Sequence, residues 1–218
     1  MKKNLLLCGL AALLTACSTT SPTLQNQSSF GPQNSNFRDF GKPLGNHFLT
    51  WPERQNQLTS LQSWHTQGSI AIHSVNKGWN ASFNWQQQDA QNYSLALFGP
   101  LGVGRTVLTG SPQGVVLQNS KGAVSASSAE ALLQQQIGWY LPVSNLFYWI
   151  RGLPSPYGRT AHYSYDMNHH LAQLTQDGWH IIYLRYICID GIDLPDRMLI
   201  SNPSMQVRIV ISRWEINT

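Results

Sequence analysis

Cysteine is nearly absent from these 218 residues, which hold three: Cys8, Cys17 and Cys188. Charge is scarce too: Asp, Glu, Lys and Arg make up 11% of the chain, with a formal net charge of +4. No apolar run approaches the about 20 residues that a membrane-spanning helix needs. Phosphate-cradling Gly-x-x-x-x-Gly-Lys, the Gly-x-Ser-x-Gly elbow and His-Glu-x-x-His are all missing. Each absence excludes something. A chain this poor in cysteine rests on an apolar core, not on disulfides. The scattered basic residues give no clustered face for nucleic acid. Nothing points to nucleotide-driven work, a cofactor, a metal or a catalytic residue.

What is present begins with a leader. Lys2 and Lys3 precede an apolar run from Leu5 to Leu14, and Leu14-Thr15-Ala16-Cys17 follows at once. A basic start, a short apolar core and small residues before a cut site describe a secretory signal. The Leu-x-Ala-Cys ending resembles the bacterial lipobox, which implies cleavage after residue 16 and lipidation of Cys17. The alternative is an ordinary secreted protein with a chance cysteine. Ser18, where this sorting pattern uses Asp for inner-membrane retention, points to the outer membrane. Residues 17–49 then read as the lipidated cysteine and a polar tether rich in Ser, Asn, Gln, Pro and Gly. As a coil its about 32 residues reach on the order of 30 Å.

The globular part is expected over 50–218, one domain's worth. Thr50-Trp51-Pro52-Glu53 fits a capping box, with proline in the first turn, opening a helix to about Leu61. The pattern then turns to period two. Ile70 and Ile72, then Trp79, Ala81, Phe83 and Trp85, then Tyr93, Leu95 and Leu97 alternate with polar residues. Val103, Arg105, Val107 and Thr109 continue the alternation, followed by Val115 and Leu117. Gly, Asn and Pro mark the turns, as at Asn76-Lys77-Gly78. A helix capped by Ser127 or Ser128 and carrying Ala131, Leu132 and Leu133 comes next. A second, very apolar helix spans Pro142 to Arg151 and stops at Gly152. Strands resume: Leu171 to Thr175 and Trp179 to Ile189 flank an Asp-Gly turn, and Met198 to Ser201 and Met205 to Ile216 flank Asn202-Pro203-Ser204. The simplest packing is mainly β with α: a curved antiparallel sheet forming an unclosed barrel, with the two helices as a lid over an apolar cavity.

Several segments match a known pattern. Phe83-Asn84-Trp85-Gln86, Leu97-Phe98-Gly99-Pro100-Leu101-Gly102 and Trp149-Ile150-Arg151-Gly152-Leu153-Pro154 resemble, in order and spacing, segments of the LolB family of outer-membrane lipoprotein receptors. Trp179 and the strand from Met205 to Trp214 fit as well. The resemblance covers about residues 59–218. It implies a monomeric, lipid-anchored protein on the periplasmic face of the outer membrane, without enzymatic activity. Such a protein accepts triacylated lipoproteins from the periplasmic carrier LolA and inserts them into that membrane. It also implies that Leu101, between Pro100 and Gly102 at a hairpin tip, is the residue used for insertion.

From the residues alone, Phe83, Trp85, Leu95, Leu97, Phe147, Trp149 and, more weakly, Trp179 either line an acyl-chain cavity or fill a solid core. His162, His169, His170 and His180 read as solvated loop histidines, not metal ligands. Asp190 and Asp193, beside Gly191, read as turn formers. Cys188 reads as a small buried hydrophobe. Three rivals remain: a lipid-sensing or lipid-storing lipoprotein without a carrier, a lipid hydrolase, and a purely structural envelope protein.

Overall fold

In a computed structural model, residues 49–75, 77–100, 104–138, 140–159 and 162–216 are described. The expected leader, Cys17, the tether up to residue 48, Asn76, and Leu101, Gly102 and Val103 lie outside them. Helix α1 (Trp51–Ser60) precedes six strands: β1 (Trp64–Ser74), β2 (Lys77–Gln87), β3 (Tyr93–Phe98), β4 (Arg105–Ser111), β5 (Gly114–Asn119) and β6 (Gly122–Ala126). Helices α2 (Ala129–Ile137) and α3 (Val143–Trp149) follow. Five strands complete the fold: β7 (His162–Tyr165), β8 (Leu171–Gln176), β9 (Trp179–Ile189), β10 (Ile192–Asn202) and β11 (Met205–Ile216).

All eleven strands join one antiparallel sheet in the order β6-β5-β4-β3-β2-β1-β11-β10-β9-β8-β7. The sheet is unclosed, with β6 and β7 as its edges. The expected fold class is therefore the observed one. The termini of the domain meet at its centre: β1 pairs with β11 from Trp64 opposite Ile216 to Ser74 opposite Met205.

The local reasons are plain in the residues. The Glu53 carboxylate accepts from the Thr50 N–H at 2.8 Å and from its hydroxyl at 2.7 Å, closing the N-terminal turn of α1. In β2, Ala81, Phe83 and Trp85 are buried, while Asn80, Ser82 and Gln86 face out. Asp177 and Gly178 both take positive φ, 53° and 78°, which suits the two-residue turn between β8 and β9. Ser128 caps α2 through the Ala131 N–H, and Gly138 ends it in the left-handed region at φ 82°.

Some expectations shift. The β1–β2 turn falls one or two residues before Asn76-Lys77-Gly78, because Ser74 already pairs with Lys77. In β4 the buried side chain is Leu108, not its neighbours Val107 and Thr109. Two adjacent apolar residues left the phase of that strand open, and the pairing of Leu108 with Leu95 and Leu117 decides it. Ala131 is exposed, and Ala129 takes its place in the buried stripe of α2. Cys188 is only half-buried.

The core lies between the sheet and the helices. Trp64 packs among Trp85, Trp214 and Phe147, with centroids 5.1, 5.3 and 6.3 Å away. Such aromatic contacts add about 0.5–1.5 kcal/mol each beyond the area they bury. β11 bulges at Ser212, opposite Gln67 and Gly68 of β1. A Cβ at Gly68 would stand 2.1 Å from the Val210 carbonyl oxygen and 2.9 Å from the Phe83 ring. Glycine therefore lets β1 lie close against the bulged β11 and against β2.

Candidate functional site

Beneath α2 and α3 the sheet leaves an apolar cavity. Its floor is Ile70 and Ile72 of β1, Trp79, Phe83 and Trp85 of β2, Leu95 and Leu97 of β3, and Thr106 and Leu108 of β4, with Leu117 and Ile209 beside them. Leu133 of α2, Val143 and Leu146 of α3, Leu141 and Ile150 form its roof. The walls present no polar surface. Trp85 keeps its indole N–H out of the way by donating to Gln87 Oε1 at 2.8 Å. The free space is about 50 Å³, whereas about 150 Å³ is needed to hold one benzene ring. The site is thus greasy and nearly shut.

Its half-exposed wall residues are Trp79, Leu97 and Thr106. Leu97 pairs with Thr106, and the next pair, Phe98 with Arg105, is the last before residues 99–104, which join β3 to β4. The accessible rim of the cavity thus sits at the base of the hairpin that carries Pro100. Pro100 is exposed.

Four of the seven residues expected at a cavity, Phe83, Trp85, Leu95 and Leu97, are on its wall. Phe147, Trp149 and Trp179 are not. Phe147 is turned toward Trp64 and borders a neighbouring recess instead. Trp149 lies on the face of α3 opposite the sheet's β1–β4 half. Its indole donates to Gln176 Oε1 of β8 at 3.0 Å, its carbonyl accepts from the Tyr183 hydroxyl of β9 at 3.0 Å, and Trp179 packs 6.5 Å away. Helical phase explains the split: Leu146 and Ile150, four apart, share the face that looks into the cavity, and Trp149 points across.

The sequence reading missed the buried charges. Arg151 is buried beneath α3, where it donates to the carbonyls of Phe147, Leu58 and Leu61, at 3.0, 3.1 and 2.6 Å. Burial pushes its guanidinium down to about 10, still protonated at neutral pH. It lies 4.1 Å from the Phe147 ring centroid and so fastens α3 to the end of α1. A second cluster corrects two expectations. His170 is buried, not solvated: Nδ1 meets Asp166 Oδ2 at 2.8 Å and Nε2 meets Asp193 Oδ2 at 3.0 Å. Asp193 is not a turn residue but the buried partner of Arg54, at 2.8 Å. Arg and His side chains carry no periodicity signal of burial, so only the fold brings these together. The half-buried Tyr93, 6.5 Å from Trp85, lines the recess, and its hydroxyl is pushed up to about 12 by burial and by the charge of Glu130. Among the described residues, no group of three or more His, Cys, Asp or Glu is placed to hold a metal ion, and no helix is long and apolar enough to cross a membrane.

Comparison with known proteins follows the same lines. The sequence model of the family described as "Outer membrane lipoprotein LolB" matches residues 62–214. The chain is 37% identical over 215 residues to the outer-membrane lipoprotein LolB of Stutzerimonas stutzeri, covering 98% of this chain and 95% of the relative. It is 40% identical over 167 residues to that of Pseudomonas syringae pv. syringae, covering 76% and 80%. Among solved structures, it resembles a LolA superfamily protein from Nitrosomonas europaea with a TM-score of 0.53 at 7% identity, covering 78% of this chain and 94% of that one.

Proposed function

The chain belongs to the LolB family, and from that premise we propose how it works as an outer-membrane lipoprotein receptor. It is an outer-membrane lipoprotein and a lipoprotein-localisation factor. In our reading, Cys17 carries its own lipid, residues 17–49 tether the domain over 50–218, and a soluble carrier of the LolA kind delivers triacylated cargo to it. The acyl chains enter beneath α2 and α3, against Phe83, Trp85, Leu95 and Leu97.

The physical need is large. One sixteen-carbon chain exposed to water costs about 12 kcal/mol at about 0.8 kcal/mol per CH₂. A wholly apolar wall offsets that cost without fixing a particular chain. Transfer then runs downhill, from a carrier to this cavity to the bilayer, which buries the chains completely. The single observation behind the reading is the apolar cavity whose rim opens at the base of the 99–104 hairpin. Leu101 at that tip would dip into the headgroup region and open the way for cargo.

The test is transfer in vitro. A lipoprotein loaded on the carrier should pass to the purified protein and then to outer-membrane vesicles. Leu101→Asp should leave the first step intact and slow the second at least about tenfold, the equivalent of about 1.4 kcal/mol. Absence of the first step with the unaltered protein would overturn the receptor reading. Unchanged insertion by Leu101→Asp would overturn the role of the tip.

A further inference from the structure

We propose that an open recess beside the cavity is a separate subsite for the uncharged head of an acylated cysteine, and that it selects lipoproteins over phospholipids. The proposal rests on the receptor reading above. It concerns not the chains but what they are attached to, which is where a lipoprotein and a membrane phospholipid differ.

The recess is about 670 Å³ and lies between the β2–β3 turn and α3, from Val143 to Tyr148. It adjoins the cavity: Trp85 and Val143 line both. An acyl chain lying against those two side chains would therefore leave its head in the recess. The recess is at the opposite end of the strands from the rim formed by Trp79, Leu97 and Thr106: Trp85 pairs with Leu95 near the β2–β3 turn, whereas Phe98 and Arg105 close the other end.

Its polar groups suit esters and amides. Gln91 is exposed at the turn, and Gln62, whose amide N donates to the Thr59 carbonyl, keeps its carbonyl on the same side chain as an acceptor. Tyr157, 84% exposed, stands edge-on to Tyr148 at 6.0 Å. The charge is of one sign. Asp89 lines the recess, and its oxygens accept from the N–H groups of Gln91 and Asn92 and from the Asn92 side chain, at 2.8, 2.9 and 2.7 Å. Those bonds hold its carboxyl below the usual range and keep it ionised. No Lys or Arg is among the lining residues. Arg151, 5.4 Å from the Tyr148 ring, is buried, and its Nε and Nη1 donate to three backbone carbonyls. Among the described lining residues a phosphate would meet a carboxylate and no Lys or Arg, whereas a glyceryl thioether with its peptide amides meets Gln and Tyr.

The test uses the whole mature protein and a fluorescent acyl probe, displaced by three ligands of equal chain length. These are an amidated, triacylated Cys-Ser lipopeptide, phosphatidylglycerol and a plain long-chain alcohol. The unaltered protein should prefer the lipopeptide to phosphatidylglycerol. Gln91→Lys, an exposed change, should improve phosphatidylglycerol competition about fivefold, the size of an exposed ion pair, and leave the alcohol unchanged. A benzophenone on the peptide end of the lipopeptide should label residues of the 88–92 turn or Tyr157. If lipopeptide and alcohol bind but the preference does not move in Gln91→Lys, or the label falls at Trp79 and Leu97, this subsite is wrong and the receptor reading stands. If neither binds the unaltered protein, the receptor reading fails and the subsite with it.

Discussion

At Asp193 a single carboxylate oxygen accepts from Arg54 and from His170, and the second imidazole nitrogen of His170 is held by Asp166. Burial alone would raise both carboxyls. For Asp193 the hydrogen bonds from His170 and Arg54, and for Asp166 those from His170, together outweigh it and hold each below the ordinary Asp value. A depressed folded value contributes stability that is present above the unfolded value and lost as pH falls through the folded one. Thermal stability should therefore drop as the pH is taken below about 4. Asp193→Asn should cost about 3 kcal/mol at neutral pH, because it strands Arg54 and His170, and its stability should fall less steeply in acid; differential scanning calorimetry across pH checks both. Gly68→Ala is a second residue-scale case. The new methyl must displace the Val210 backbone, so it should cost about 1–3 kcal/mol in chemical denaturation. Neither feature was legible in the sequence. A glycine between Gln67 and Ser69 looks like any strand glycine. Arg54 and His170 look like surface residues until β8 and β10 bring Asp193 beside them.

The two lid helices are held differently, and that difference decides which of them moves. α3 is pinned by Trp149 to Gln176 and Tyr183, and by Arg151 to the end of α1. α2 packs on β5, β6 and α3, and its Glu130 accepts from the Ser144 N–H at 2.9 Å. A cavity of about 50 Å³ must widen to take an acyl chain, and the helix with fewer buried polar ties yields at lower cost. Amide exchange in α2 should be faster than in α3, and a long-chain ligand should change α2 more; equal protection of both would refute this. Elements were the most legible scale. Alternation around Phe83 and Trp85 gave β2, and Asp177-Gly178 gave the β8–β9 hairpin. β7 escaped because all four of its residues are exposed, so it has no buried period to read. Trp149 was misplaced for a similar reason: an all-apolar helix such as α3 does not announce which face meets the hollow.

The order of strands in the whole molecule was the least legible of all. Apolar alternation marks a strand but not its neighbour, and nothing in residues 64–74 names residues 205–216 as the partner. His65 and Glu215, 2.9 Å apart, are separated by 150 positions along the chain. Deleting residues 205–216 should therefore do more than trim an edge. It would leave β1 and β10 with unpaired backbone at the middle of the sheet, and the shortened protein should show no cooperative unfolding transition by circular dichroism. A pairing of such long range is slow to form. Made or exported from its N-terminus, the chain exposes β1 until β11 arrives, after β2 to β10 have passed. A half-delivered molecule is thus an open template for any passing strand, and its safe maturation depends on keeping nascent copies apart until residues 205–216 are through.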